Sequence, residues 1–197
     1  MRVLNLTYKQ TSIYLIEANC GWIMVDAGWP DTLAQFFKLL KQNDVHISDI
    51  KYLIITHFHP DHAGLAQDLK ELGTKLILHE IQVPFVNKLN SFFKKNPSFK
   101  AKDIIAGNNI ILSSAESKKF LKNVGIDGEI IPTPGHTDDS ISLIIDKCCA
   151  FTGDPPEFSL VEAYNDQTMK DSWKLLQAYN VKKIYPAHGN SYDILIS

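Results

Sequence analysis

The chain of 197 residues has little cysteine, no long apolar run and no surplus of positive charge, and each shortage removes a class of answers. Cys20, Cys148 and Cys149 are an odd number with no CxxC pair, which argues against a disulfide framework and against a thiolate metal site. Their apolar neighbours predict burial as small hydrophobes. No continuous apolar stretch approaches the roughly 20 residues that span a bilayer. The start "MRVLNLTYKQTSIYLIEANC" has no apolar core followed by a small-residue cleavage site, so a cytoplasmic protein with no membrane partner is expected. Lys and Arg number 20 against 22 Asp and Glu, a net charge of -2 that supplies no broad basic surface for a phosphate backbone. No nucleic-acid partner is therefore expected. With 45% hydrophobic and 21% charged residues and no low-complexity tract or linker, residues 1–197 read as one folded domain.

Apolar periodicity places the elements. "IYLIE" and "GWIMVDAG" read as strands joined by a turn at Asn19 to Gly21, and "TLAQFFKLLKQ" puts Leu33, Phe36, Phe37 and Leu40 on one helical face. "KYLIITH" is a buried-type strand running into histidines, and "AGLAQDLKELG" behind it reads as a helix stopped by Gly73. After the strand "KLILHE", residues 81–99 read as one or two short helices or a flap. Strands follow at "NNIILSS", "ISLIID" and "CCAFTGD", with a short amphipathic or irregular segment at "AESKKFLKNVG". A helix at "QTMKDSWKLLQAY" and a last strand in "KKIYPAHGN" complete the pattern. Helices and strands together make an α/β (α+β) chain.

Histidine is what this sequence has in concentration. Residues 57–62 hold His57, His59, Asp61 and His62 on a strand-to-helix connection. His136 in "IPTPGHTDDSI", Asp154 at the end of "CCAFTGD" and His188 at the end of "IYPAHG" also follow apolar strand-like runs. Imidazole nitrogens and carboxylate oxygens at several strand ends suit Zn²⁺, with Fe²⁺ or Mn²⁺ as alternatives at higher coordination number. The bland alternative makes them surface groups, with Asp61 capping a helix that begins near Ala63. His46 in a polar connection and His79 at a strand end are not counted as ligands. Asp26 in "VDAG" reads either as a carboxylate steering a ligand or as a turn residue, and Thr56 and Ser140 as orienting groups.

"THFHPDH" resembles the HxHxDH motif of the metallo-beta-lactamase fold superfamily, and "PGHT", "FTGD" and "YPAHG" resemble its remaining motifs in order, over nearly the whole chain. The resemblance implies a four-layer αββα sandwich with metals at one edge of two facing mixed sheets. It implies that His57, His59 and His136 hold one metal, Asp61, His62 and His188 a second, and that Asp154 bridges them. Such a pair, expected to be two Zn²⁺, would present hydroxide to a small-molecule ester, thioester or lactone. Asp61 is the catalytic candidate, either handling the proton or serving as a ligand alone. A phosphodiesterase of the same fold and a non-catalytic metal-binding or ligand-sensing protein are the alternatives.

Departures within the family narrow the class. Beta-lactamases of this fold usually lack the bridging carboxylate, and its di-iron oxygen reductases commonly carry glutamate where this chain has His59 and need a flavin module. Its nucleases carry a long extra domain between the residues matching Asp154 and His188, and its tRNA-maturing members an exosite arm. The chain resembles glyoxalase II-like thioesterases and lactonases more, although glyoxalase II proper adds a glutathione-binding helical domain and this chain ends nine residues after His188. Asp139, where relatives often have glycine, either narrows the pocket or disfavours acidic substrates, or else serves as an ordinary turn or helix-cap carboxylate. Trp29, Phe58, Phe85, Phe92, Phe93, Phe158 and Tyr164 are candidates for a pocket lining or for plain core. "NSFFKKNPSFK" could equally dock a partner chain, and nothing in the sequence sets the oligomeric state.

Overall fold

The computed structural model describes residues 2–194. Two sheets face each other. The first has six strands in order, β1 (Val3–Asn5), β2 (Tyr14–Ala18), β3 (Gly21–Val25), β4 (Ile50–Ile54), β5 (Lys75–His79) and β6 (Ile110–Leu112). The second contains β7 (Gly128–Pro132), β8 (Ile141–Ile145), β9 (Cys149–Gly153), β10 (Lys183–Pro186) and β11 (Tyr192–Asp193), also in chain order. Both are mixed: β3 to β6 run parallel, as do β9 and β10, and the other pairs are antiparallel.

Period-two alternation assigns each strand residue to a layer. Tyr14, Ile16, Ile23, Val25, Ile54 and Ile77 point between the sheets, where they meet Ile130, Leu143, Ile145 and Phe151. Their neighbours Leu15, Met24, Leu53, Leu76 and Leu78 point outward. That outer face packs against α1 (Leu33–Gln42), α2 (Pro60–Ala63), α3 (Ala66–Glu71) and α4 (Val83–Lys95). Ile131, Ile144 and Ala150 form the opposite outer layer under Met169, Trp173 and Leu176 of α6 (Gln167–Ala178). Between the sheets, α5 (Ser114–Asn123) links edge strands β6 and β7 and inserts Leu121 into the shared core. The result is helix, sheet, sheet, helix, with each fully buried large side chain contributing roughly 1.5–3 kcal/mol.

Several local expectations change. Phe36 is buried but Phe37 is exposed, because adjacent helical positions sit about 100° apart and cannot both face one sheet. The cysteines are not core residues: Cys20 is exposed and Cys148 and Cys149 are half-buried. Cys20 falls in the β2–β3 turn and Cys148 in the β8–β9 turn, and hairpin tips lie beyond the sheet interior. Residues 80–99 form one 13-residue helix flanked by two short 3₁₀ turns, Glu80–Gln82 and Pro97–Phe99. No helix among the described residues is long and apolar enough to cross a membrane.

The helix expected from Ala63 to Gly73 is split, and it starts earlier, at Pro60. Gly64 lies at the break, its N–H bonded to Gly28 O at 2.8 Å. A Cβ there would run into Pro30 N and Gly28 O, both backbone and unable to swing aside. Gly64→Ala is therefore expected to lower stability by about 3 kcal/mol, read as a Tm about 6–12 °C lower in a thermal melt.

Candidate metal centre

The parallel strands β3, β4, β9 and β10 end at one edge of the sandwich, the usual place for a site in such sheets. Asp26 follows β3, His57 to His62 follow β4, Asp154 follows β9 and His188 follows β10, while His136 comes from the β7–β8 loop. At this edge the sequence candidates meet in two groups. His57, His59 and His136 form one, Asp61, His62, Asp154 and His188 the other, and within each the donor atoms lie within 4.8 Å of one another.

Asp154 joins the groups. Its Oδ2 lies 3.2 Å from His62 Nε2 and 3.4 Å from His188 Nε2 on one side, and 3.8 Å from both His57 Nε2 and His136 Nε2 on the other. Asp61 Oδ2 lies 3.2 Å from His188 Nε2 and 3.5 Å from His62 Nε2, so its carboxylate faces the cluster and does not cap a helix. Gly153 permits the approach: its φ is +69°, and a Cβ would sit 2.6 Å from Thr56 Oγ1.

A supporting layer sets the imidazole tautomers. His62 Nδ1 is 2.9 Å from Asp26 Oδ2, while the Thr56 N–H and hydroxyl both donate to the same carboxylate, at 2.7 Å and 2.9–3.0 Å. Since the Thr56 hydroxyl spends its proton on Asp26, its oxygen can only accept at His57 Nδ1, 3.3 Å away. His188 Nδ1 donates to Gln10 O at 2.7 Å. In each ring Nε2 is left to face the cluster, the arrangement a metal-ligating imidazole needs. Of the other sequence candidates, Ser140 bonds Thr137 and touches no candidate ligand. His46 is exposed, and His79 is a buried cap whose Nε2 meets Ser114 Oγ at 3.1 Å, away from the cluster.

Asp139 and Gln82 complete this layer in ways the sequence hid. Asp139, 2% exposed, accepts from Phe58 N at 2.7 Å and so fixes the backbone between His57 and His59. It also lines the cleft over this edge, as expected of a residue that narrows the pocket. Gln82 is fully buried and donates to Ile55 O and Asp139 O at 2.9 and 3.2 Å.

The electrostatics are those of a site built for cations. Burial favours neutral Asp61 and Asp154, but hydrogen bonds from His188 and His62 and the His62 charge outweigh it and hold both well below the usual carboxylate range. Burial likewise opposes charge on His62, yet Asp26, Asp154 and Asp61 raise it well above its ordinary value. Hydrogen bonds to Asp154 and Asp61 push His188 up to about 10. Burial and the neighbouring His62 lower His57 well below its ordinary value, and burial lowers His136. His57 Nε2 and Asp154 Oδ1 are buried with no hydrogen-bond partner. Two orphaned donor atoms among clustered imidazoles and carboxylates fit metal cations well.

A cleft of about 670 Å³ opens over this edge, with His59, Asp61 and His136 on its floor and Phe58, Phe85 and Phe92 among its walls. The other aromatic candidates lie elsewhere. Phe93 is buried core, Phe158 packs on Trp173, Trp29 stacks on Phe99 and Tyr164 is exposed.

Residues 6–188 match the family model described as metallo-beta-lactamase superfamily. A probable metallo-hydrolase of Methanocaldococcus jannaschii is 30% identical over 190 residues, covering 87% of this chain and 84% of its own length. An atrochrysone carboxyl ACP thioesterase of Aspergillus novofumigatus is 25% identical over 93% of this chain and 50% of its own length. Other curated relatives, 27–29% identical, are matched over 53–60% of their length, so the chain spans little more than half of them. Among solved structures, a metallo-beta-lactamase family protein from Thermus thermophilus superposes with a TM-score of 0.74 at 19% identity, covering 98% of this chain and 74% of that one.

Proposed function

The chain belongs to the metallo-beta-lactamase superfamily, and from that premise we propose that it is a metal-dependent hydrolase that cleaves a small-molecule ester, thioester or lactone at a binuclear zinc site. The observation that carries this reading is the position of Asp154 Oδ2, within 3.8 Å of an imidazole nitrogen from each of the two groups. In this reading His57, His59 and His136 would hold one cation, Asp61, His62 and His188 the other, and Asp154 would serve both. When bound, such cations would supply a water of lowered pKa and stabilisation of the charge that develops on the electrophile's oxygen.

The chain's own groups do the rest. Asp61 faces the cleft and the cluster at once, which suits it to hold the attacking water in line and to carry its proton to the leaving group. Phe58, Phe85 and Phe92 give the cleft an apolar wall beside that floor. A thioester among the candidate substrates draws support from the thioesterase relative.

Metal content after purification without chelator is the first test: close to two zinc ions per chain is expected, and none would remove the basis of the reading. Turnover of p-nitrophenyl esters, thioesters, lactones and bis-p-nitrophenyl phosphate then separates acyl from phosphoryl chemistry. Two bound metals with no turnover of any of these would favour ligand sensing instead.

Loading should also release protons. Metal ligation requires neutral imidazole, whereas His62 and His188 are protonated at neutral pH without metal. About two protons per chain are expected to leave on loading at pH 7. Calorimetric titration in buffers of different ionisation enthalpy measures this, and apparent affinity should rise with pH. The sign in the metal-free protein is opposite: the stability from His188 is fully present below the unfolded value of about 6.5 and is lost as pH rises through about 10.

A further inference from the structure

The cleft over the metal centre has a wall whose chemistry hydrolysis alone does not require. Helix α4 lines it with Phe85, Lys88, Leu89 and Phe92, at positions i, i+3, i+4 and i+7 of one face. The stripe runs roughly 10 Å along the helix axis. Phe58 and Asp138 line the same cleft. The Lys88 ammonium lies 3.8 Å from the centroid of the Phe85 ring. Among the described residues it forms no ion pair with a carboxylate, unlike Lys94, Lys100 and Lys102 nearby in the chain.

A cation stacked on an aromatic ring, unpaired, and set among the apolar side chains of α4 on one wall of the cleft is poised to receive an anion. Asp139 also lines the cleft, but it is 2% exposed and one of its carboxylate oxygens accepts from Phe58 N. We propose that the substrate is an ester or thioester with an apolar or aromatic body that carries an anionic group, the body against Phe58, Phe85 and Phe92 and the anion on Lys88. This rests on the hydrolase reading above. In the reaction water adds its oxygen to the acyl carbon, the acyl C–O or C–S bond breaks, and the leaving group takes the proton.

The test compares zinc-loaded wild type with Lys88→Met and Lys88→Glu. One substrate pair is p-nitrophenyl butyrate and p-nitrophenyl hydrogen glutarate, which place the anion on the acyl side. The other is the butyryl thioesters of N-acetylcysteamine and coenzyme A, which place it on the leaving group. Wild type is expected to favour the anionic member of one pair by about fivefold in kcat/KM, with the preference near parity in Lys88→Met and inverted in Lys88→Glu. Whichever pair responds assigns the side that carries the anion. An equal preference in all three proteins overturns the inference and leaves hydrolysis intact.

Calorimetric binding of glutaranilic acid and butyranilide, uncleaved amide analogues, reads recognition without turnover. The acid is expected to bind wild type about fivefold more tightly than Lys88→Met, with butyranilide indifferent to the change. Absence of turnover on all four substrates with this binding difference intact would sink the hydrolase reading alone. Equal binding of the acid by wild type and both variants would overturn the anionic-substrate inference.

Discussion

Replacing Asp154 with asparagine is expected to lower kcat/KM about a thousandfold, equivalent to about 4 kcal/mol of transition-state stabilisation, and to reduce the metal content from two per chain toward one. The reason is its shared position. Asp154 Oδ2 stands 3.2 and 3.4 Å from the nitrogens of His62 and His188 and 3.8 Å from those of His57 and His136, so no other carboxylate among the described residues reaches both groups. Asparagine keeps the shape and one acceptor oxygen but removes the negative charge that two adjacent cations require between them. His57, His59 and His136 remain as a three-nitrogen set able to keep one cation. Elemental analysis and turnover on the same preparation check both halves. Two retained metals with activity within tenfold of wild type would show that Asp154 is not shared.

The ligand candidates were legible in the sequence because their residue types are scarce and their positions distinctive. His57 to His62, His136, Asp154 and His188 each stand just beyond an apolar strand or strand-like run, and parallel strands must end on the same side. The layers were legible for a similar reason, since Leu15, Met24, Leu53 and Leu76 alternate with residues of the inter-sheet core. What supports the ligands was harder to read. Asp139 sits in "HTDDS", where any carboxylate suggests a turn, and its partner, the N–H of Phe58, is 81 residues away. Gln82 at a helix start looks ordinary, although its amide ties Ile55 O to Asp139 O. Helix α4 was ambiguous because Pro84 and a cluster of lysines mask the buried face formed by Val86, Leu89 and Phe93. The cysteines misled through apolar neighbours, which identify the strands but say nothing of the turns between them.

Asp26→Asn is the second large effect expected, and it separates positioning from ligation. Asp26 occupies a left-handed backbone conformation, φ +62°, which asparagine tolerates, so the backbone need not move. Its carboxylate accepts from Thr56 N, from the Thr56 hydroxyl and from His62 Nδ1, all buried. An amide there can satisfy one or two of these donors but turns an N–H toward a third. Metal affinity at the site that includes His62 is expected to fall about 10- to 100-fold. The metal-free protein should lose about 3 kcal/mol at pH 6, because the variant breaks a buried ion pair. The pH dependence has a definite sign. Asp26 helps raise His62 above its unfolded value, so the stability it provides is fully present below about pH 6.5 and fades as pH rises through the folded value. Urea denaturation of both metal-free proteins from pH 6 to 10 should therefore show the gap narrowing. A gap that stays constant with pH would mean that Asp26 holds Thr56 alone, with His62 neutral throughout.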